Sequence, residues 1–252
     1  MIRVTAILFL GVAACAHDHA LDRRDVGAMK NASPAISPWT GPEADPIAAG
    51  QADAGAEAVI NGVHGMAVQV FAAGSGDKIN VASGVLAGRG LVLTDLRALL
   101  VDGPGGRLQP AAEIAVLTTT GAFPARLVGS ALDADVAVLE LPEAGRALEG
   151  PPLAEGTSGD RLLAVRAWKQ GAALLFEAIG FSMKQSQDAL GLRSAPGLPI
   201  TFAGAPVFDT RGELAGLLVG PSERDVVLVP SARLRQILGR VHPPAPQADD
   251  HI

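Results

Sequence analysis

Side chains able to act as acids, bases or nucleophiles are sparse in this chain of 252 residues and poorly placed to cooperate. The histidines are His17, His19, His64, His242 and His251, so none falls between Gly65 and Arg240, a stretch with the length of one domain. A serine nucleophile needs a base within about 3 Å, and this distribution argues against a Ser–His pair in the body of the chain. Ser194 reads as a loop hydroxyl and Ser231 as a helix cap. Asp133 and Asp135 are the kind of neighbouring carboxylates that divide acid and base work, but alternate residues near a strand entrance point in opposite directions. They read as a turn residue and a structural carboxylate. Glu177 and Lys184 have no partner motif and read as surface charges. His17 and His19 flank Asp18 in metal-donor fashion, yet the segment around them gives them no fixed geometry. The sequence carries no cofactor or metal motif.

Any site must therefore be positioned by the elements between Gly65 and Arg240, and these read as short strands. Runs rich in Val, Leu and Ile alternate with Gly, Pro and Asp turns. A first group of six is expected at Met66–Ala72, Lys78–Leu86, Gly90–Thr94, Glu113–Thr118, Ala122–Ser130 and Val136–Leu141. A second group of six is expected at Arg161–Trp168, Leu174–Ser182, Leu190–Arg193, Ala205–Phe208, Leu214–Val219 and Val226–Val229. Pro142, Pro151 and Pro152 lie between the groups, where missing amide protons suit a crossover. Only Ser231–Leu238 reads as helix, with Ser231 as N-cap and Leu234, Ile237 and Leu238 on one face. The expected fold is all-β: two six-stranded antiparallel β-barrels and a short C-terminal helix.

The ends of the chain read differently. Met1-Ile2-Arg3 followed by the apolar run Val4–Ala14 is too short to span a bilayer and has the form of a secretory signal over residues 1–14. It ends in Val12-Ala13-Ala14-Cys15, which resembles the lipobox of bacterial lipoproteins, and Cys15 is the chain's single cysteine. The resemblance implies a lipid on Cys15 and, with Ala16 following, delivery to the outer membrane; ordinary signal cleavage around Ala14-Cys15-Ala16 is the alternative processing. Residues 15–63 are poor in large apolar side chains and read as a disordered tether with a reach of about 35–40 Å. Residues 64–240 are the folded domain and 241–252 a disordered, proline-rich tail. The formal charge of −6 provides no positive field for nucleic acid. Membrane association is expected through the lipid anchor.

Four segments, in order, carry a family resemblance. Ala82-Ser83-Gly84-Val85-Leu86 with Gly88-Arg89-Gly90-Leu91-Val92-Leu93-Thr94 comes first, then Leu132-Asp133-Ala134-Asp135-Val136-Ala137-Val138-Leu139. Thr201-Phe202-Ala203-Gly204-Ala205-Pro206-Val207 precedes Asp209-Thr210-Arg211-Gly212-Glu213-Leu214, and Val227-Leu228-Val229-Pro230-Ser231 closes the series. Over roughly 170 residues this resembles the bacterial trypsin-like serine proteases of the HtrA/Deg type. The resemblance places Arg97 on the family's catalytic histidine, Asp135 on its aspartate and Ala203 on its serine, with Thr201, Phe202 and Ala203 forming the former oxyanion loop.

Those replacements remove the chemistry. Serine attacks, histidine moves the proton, and aspartate orients the imidazole; Ala203 has no lone pair to attack with. Arg97 stays charged at pH 7, since a guanidinium has a pKa of about 12.5 or more. Thr201 and Ala205 also stand where the family pattern has glycines, so a loop needing positive φ there would be strained or reshaped. The resemblance therefore implies a pseudoprotease in the bacterial envelope that binds or scaffolds a protein or extended peptide. The alternative is a serine-type endopeptidase-like hydrolase with an unconventional or partner-completed site. Arg97 and Asp135 are expected to form an ion pair in place of the His–Asp couple.

Overall fold

A computed structural model of the chain describes residues 3–4, 54–74, 79–103, 107–155, 162–170, 173–181, 193–194, 200–220 and 226–241. Most of the expected signal, Cys15, the tether up to residue 53, Lys184 and the tail from His242 lie outside the described residues.

Eleven of the twelve expected strands are present, Glu113–Thr118 and Leu214–Val219 with the expected ends and the others shifted by one or two residues; of the expected strand Leu190–Arg193, residues 190–192 lie outside the described residues and the strand seen there is Arg193–Ser194. β1 is Arg3–Val4; the first group follows as β2 (Ala67–Ala73), β3 (Ile79–Gly88), β4 (Leu91–Asp95), β7 (Glu113–Thr118), β8 (Gly121–Ala131) and β9 (Val136–Glu140), with the small hairpin β5 (Leu100–Asp102) and β6 (Leu108–Pro110) inserted. The second group is β10 (Leu162–Gln170), β11 (Ala173–Phe181), β12 (Arg193–Ser194), β13 (Pro206–Phe208), β14 (Leu214–Val219) and β15 (Val227–Pro230).

The first group closes into an antiparallel barrel in the order β2-β3-β4-β9-β8-β7, which by rank along the chain is 1-2-3-6-5-4. The second group runs β11-β10-β13-β14-β15-β12, or 2-1-4-5-6-3. This is the same cyclic order, open between its second and third members. The halves thus repeat one topology, and among the described residues the second is an open sheet where a closed barrel is expected. On its β11 edge, Arg3 pairs with Ile179 and Val4 with Ala178, so this short piece of the expected signal segment lies against the sheet.

Period-two alternation of side chains accounts for three cores. Val68, Val70 and Ala72 of β2 point into the barrel with Val92, Ala137 and Leu139. Ala164, Val207, Leu218 and Leu228 fill the inside of the second sheet around Phe202. The residues between them, such as Ala67, Val85 and Leu93 on one side and Val165, Leu217 and Val229 on the other, meet in a third core that joins the halves.

Two helices seal that joint. Ala54–Val63 is helical, and its Ile60 and Val63 are buried in the shared core, which corrects the expectation that the tether runs disordered to residue 63. The physical reason is local: Val59, Ile60 and Val63 recur at helical spacing, enough for the last turn of the helix to bury against a preformed apolar seam. The closing helix is longer than expected, Ser231–Val241, and it places Leu234 and Ile237 in the same core. Ser231, expected as the N-cap, is its first helical residue, and its hydroxyl donates to the carbonyl of Ala154 at 2.8 Å, fastening the helix to the crossover. Val241, expected in the tail, is the last residue of this helix.

Candidate functional site

The candidate site lies where the end of β4, the turn before β9 and the strand β14 converge. β4 is buried along its length, and Thr94 uses its hydroxyl to donate to the Ser83 carbonyl at 2.6 Å. The next residue, Asp95, is 2% exposed, and its carboxylate spans both halves. Oδ1 accepts the Arg97 amide at 2.8 Å, closing an Asx turn that starts the 3₁₀ turn Arg97–Leu99. Oδ2 accepts the Gly220 amide at 2.8 Å from the end of β14. Burial pushes the Asp95 carboxyl above its ordinary range, the two amide donors pull it down, and the neighbouring charges of Asp135 and Arg97 act in opposite senses.

Arg97 and Asp135 meet as expected. Arg97 Nε lies 3.9 Å from Asp135 Oδ1, with the arginine side chain 50% exposed and the aspartate 28%. An ion pair this long and this wet contributes no more than about 1 kcal/mol. The stronger attachment of the guanidinium is Nη1, which donates to the Gly220 carbonyl at 3.2 Å. Asp135 itself sits at φ 51°, a left-handed backbone that aspartate tolerates better than most residues, and its carbonyl accepts the Leu96 amide at 2.8 Å. Asp133 turns elsewhere and pairs with Arg233 of the closing helix. The two carboxylates thus face separate partners and do not share a proton-transfer site.

The Ala203 loop is tied to the first barrel at its backbone. The Ser83 amide donates to the Ala203 carbonyl at 3.3 Å, and Gly204, at φ 80°, approaches so closely that a Cβ there would lie 2.1 Å from the Ser83 carbonyl oxygen. Gly204 is therefore required by both conformation and space. Thr201 and Phe202 lie in the 3₁₀ turn Ile200–Phe202, and the Ala205 amide donates to the Phe202 carbonyl at 2.9 Å. Among the described residues the non-glycine positions with positive φ are Arg89 and Asp135, so Thr201 and Ala205 are not strained; the loop takes a shape their Cβ atoms permit.

Phe202 is fully buried, with the Arg166 guanidinium 5.1 Å from its ring centroid. Arg166 Nε also donates to Glu177 Oε2 at 2.7 Å across β10 and β11. Glu177, expected to be a surface charge, is instead a mostly buried partner in this pair. His64 is far from this chemistry in role: its Nδ1 is 2.8 Å from the Asn61 carbonyl and its ring meets Phe176 edge-on at the helix end.

Asp95, Gly220 and Arg166 are site residues that the sequence does not single out. Asp95 carries one usable signal, an Asx-turn residue two positions before the misplaced arginine; Gly220 and Arg166 gain their roles only through contacts across the fold.

Two halves of identical cyclic strand order, one a closed barrel and the other an open sheet among the described residues, are joined through a shared core with Arg97, Asp135 and Ala203 along their boundary, and this is the fold of the trypsin-like serine proteases. Solved structures agree with that class. The chain is similar to the active form of the Rv3671c protease from M. tuberculosis, with TM-score 0.59 and 13% identity, covering 83% of this chain and 95% of the other. It is similar to a serine endoprotease from Yersinia pestis, with TM-score 0.56 and 19% identity, covering 73% of this chain and 66% of that one. A serine-to-alanine mutant of Rv3671c from M. tuberculosis H37Rv, in an inactive form, aligns with TM-score 0.54 and 17% identity, over 78% of this chain and 97% of the other. No protein-family model and no curated protein sequence matches the chain. At these identities the likeness is one of fold.

Proposed function

We propose that this chain is a pseudoprotease: a lipid-anchored, non-catalytic module of the bacterial envelope that holds a protein or extended peptide along the boundary between its two halves. The observation that carries this reading is the pairing of Arg97 with Asp135 beside a loop whose central residue is Ala203. A guanidinium can neither accept a proton at neutral pH nor deliver one, and a methyl group cannot form an acyl intermediate. Binding has no such requirement, because extended peptides are held chiefly by main-chain hydrogen bonds that survive loss of a nucleophile.

The test pairs two measurements on the full chain. A fluorophosphonate probe is expected to leave every serine unlabelled, while cross-linking in intact envelopes is expected to capture a specific protein. Labelling at one serine, abolished by substituting that serine, overturns the reading in favour of an unconventional hydrolase. Anchoring is tested separately: Cys15→Ser is expected to move the protein from the outer-membrane fraction to the soluble envelope fraction.

A further inference from the structure

We propose that Asp95 and Arg97 together imitate an added strand on Gly220, and that Arg97 is a gate which an incoming peptide must displace. The inference rests on the binding reading above and concerns how that same boundary is regulated.

Strand geometry is the basis. Main-chain N–H and C=O groups of alternate residues point to the same side of a strand. On β14, Leu218 donates its amide to the Ala205 carbonyl at 2.9 Å and accepts the Gly204 amide at 2.7 Å, so its polar groups face the Ala203 loop. Gly220, two residues on, faces the same side just beyond the reach of that loop. There its amide is taken by Asp95 Oδ2 at 2.8 Å and its carbonyl by Arg97 Nη1 at 3.2 Å. One acceptor for the N–H and one donor for the C=O is what a residue of a neighbouring antiparallel strand supplies. Two side chains of the first barrel supply it here.

The two stand-ins differ in how firmly they are held. Asp95 is buried and fixed by the Arg97 amide as well as by Gly220. Arg97 is half-exposed, and its other attachment is the long contact with Asp135. The guanidinium can move into water with its charge solvated, freeing the Gly220 carbonyl for a peptide N–H, while Asp95 stays. The wild-type protein then binds an extended segment in competition with its own arginine.

The experiment is affinity selection of an end-blocked decapeptide library on the full chain and on Arg97→Ala, followed by fluorescence-anisotropy titration of the retained peptides against both. Thermal unfolding checks that the variant is folded, and Arg97→Gln, which keeps polarity but cannot reach as far, is the second variant. The expected result is tighter binding by both variants, about tenfold for Arg97→Ala, the scale of one charge-assisted hydrogen bond. Equal or weaker binding by folded variants overturns the gate and leaves the binding module standing. Retention of no peptide by any of the three proteins overturns both.

Discussion

Asp95 of the first barrel accepts the backbone amide of Gly220, at the end of the second sheet's β14, at 2.8 Å, so one buried carboxylate ties the two halves together beside the candidate site. Its other oxygen holds the Arg97 amide at 2.8 Å, which sets the turn that aims the guanidinium. Replacing Asp95 by alanine leaves two backbone donors without their acceptor in a place water reaches poorly. The expected cost is about 2–4 kcal/mol, from two lost charge-assisted bonds less the relief of carboxylate desolvation. Urea unfolding of Asp95→Ala against the parent measures it, and a loss below about 0.5 kcal/mol, the ordinary spread of surface substitutions, would show that Asp95 does not join the halves.

The same carboxylate makes stability depend on pH in an uncommon direction. Its pKa in the folded chain is raised from 3.8, burial being the largest cause. Between 3.8 and that higher value the folded state binds more protons than the unfolded state, so stability falls as pH rises through this window and then levels off. The part of the profile due to Asp95 is the difference between the parent and Asp95→Asn, which has no titrating group there. That difference is expected to shrink from pH 3.8 upward; one that grows with pH would mean that the amide donors outweigh burial.

The strands are legible in the sequence because each is a run of branched apolar residues ended by glycine, proline or aspartate. Glu113–Thr118 and Leu214–Val219 match the expected ends. The Arg97–Asp135 meeting is legible through the family resemblance. What stays hidden are features that exist only once the halves are joined. Gly220 bears no side chain to advertise a role, and Arg166 finds Phe202 and Glu177 only across the second sheet. The hairpin Leu100–Asp102 with Leu108–Pro110 escapes notice because each arm is only three residues long. The helix Ala54–Val63 reads as tether because its alanine and glycine content masks Val59, Ile60 and Val63.

Two of those masked residues give a stability prediction. Ile60 is 5% exposed and Val63 3%, both in the core shared by the halves. Ile60→Ala is expected to destabilise the domain by about 2–4 kcal/mol, the cost of an emptied aliphatic site. Thermal denaturation of the full chain carrying the substitution checks this, with Ala58→Ser on the exposed face as control. If Ile60→Ala unfolds with the parent, the helix is only draped over the seam and the tether does extend to residue 63.

Restoring the catalytic residue types tests how deeply the site has been rebuilt. Triad members act as a unit, so Arg97→His or Ala203→Ser alone is expected to gain nothing measurable, and the double variant is the informative one. Loss of a triad costs about 10⁶ in turnover, and full recovery would be unmistakable. Recovery is not expected. Thr201 and Phe202 lie in a 3₁₀ turn, Ala205 bonds back to the Phe202 carbonyl, and neither Thr201 nor Ala205 has the left-handed backbone that a glycine would allow. The imidazole would also arrive without the Gly220 contact that now positions the guanidinium. Fluorophosphonate labelling of the double variant should therefore stay at the parent's level, as should hydrolysis of an unfolded protein substrate. Labelling at the new serine would show that the loop still forms an anion-binding shape when a nucleophile is present, and that loss of two side chains is all that separates this chain from catalysis.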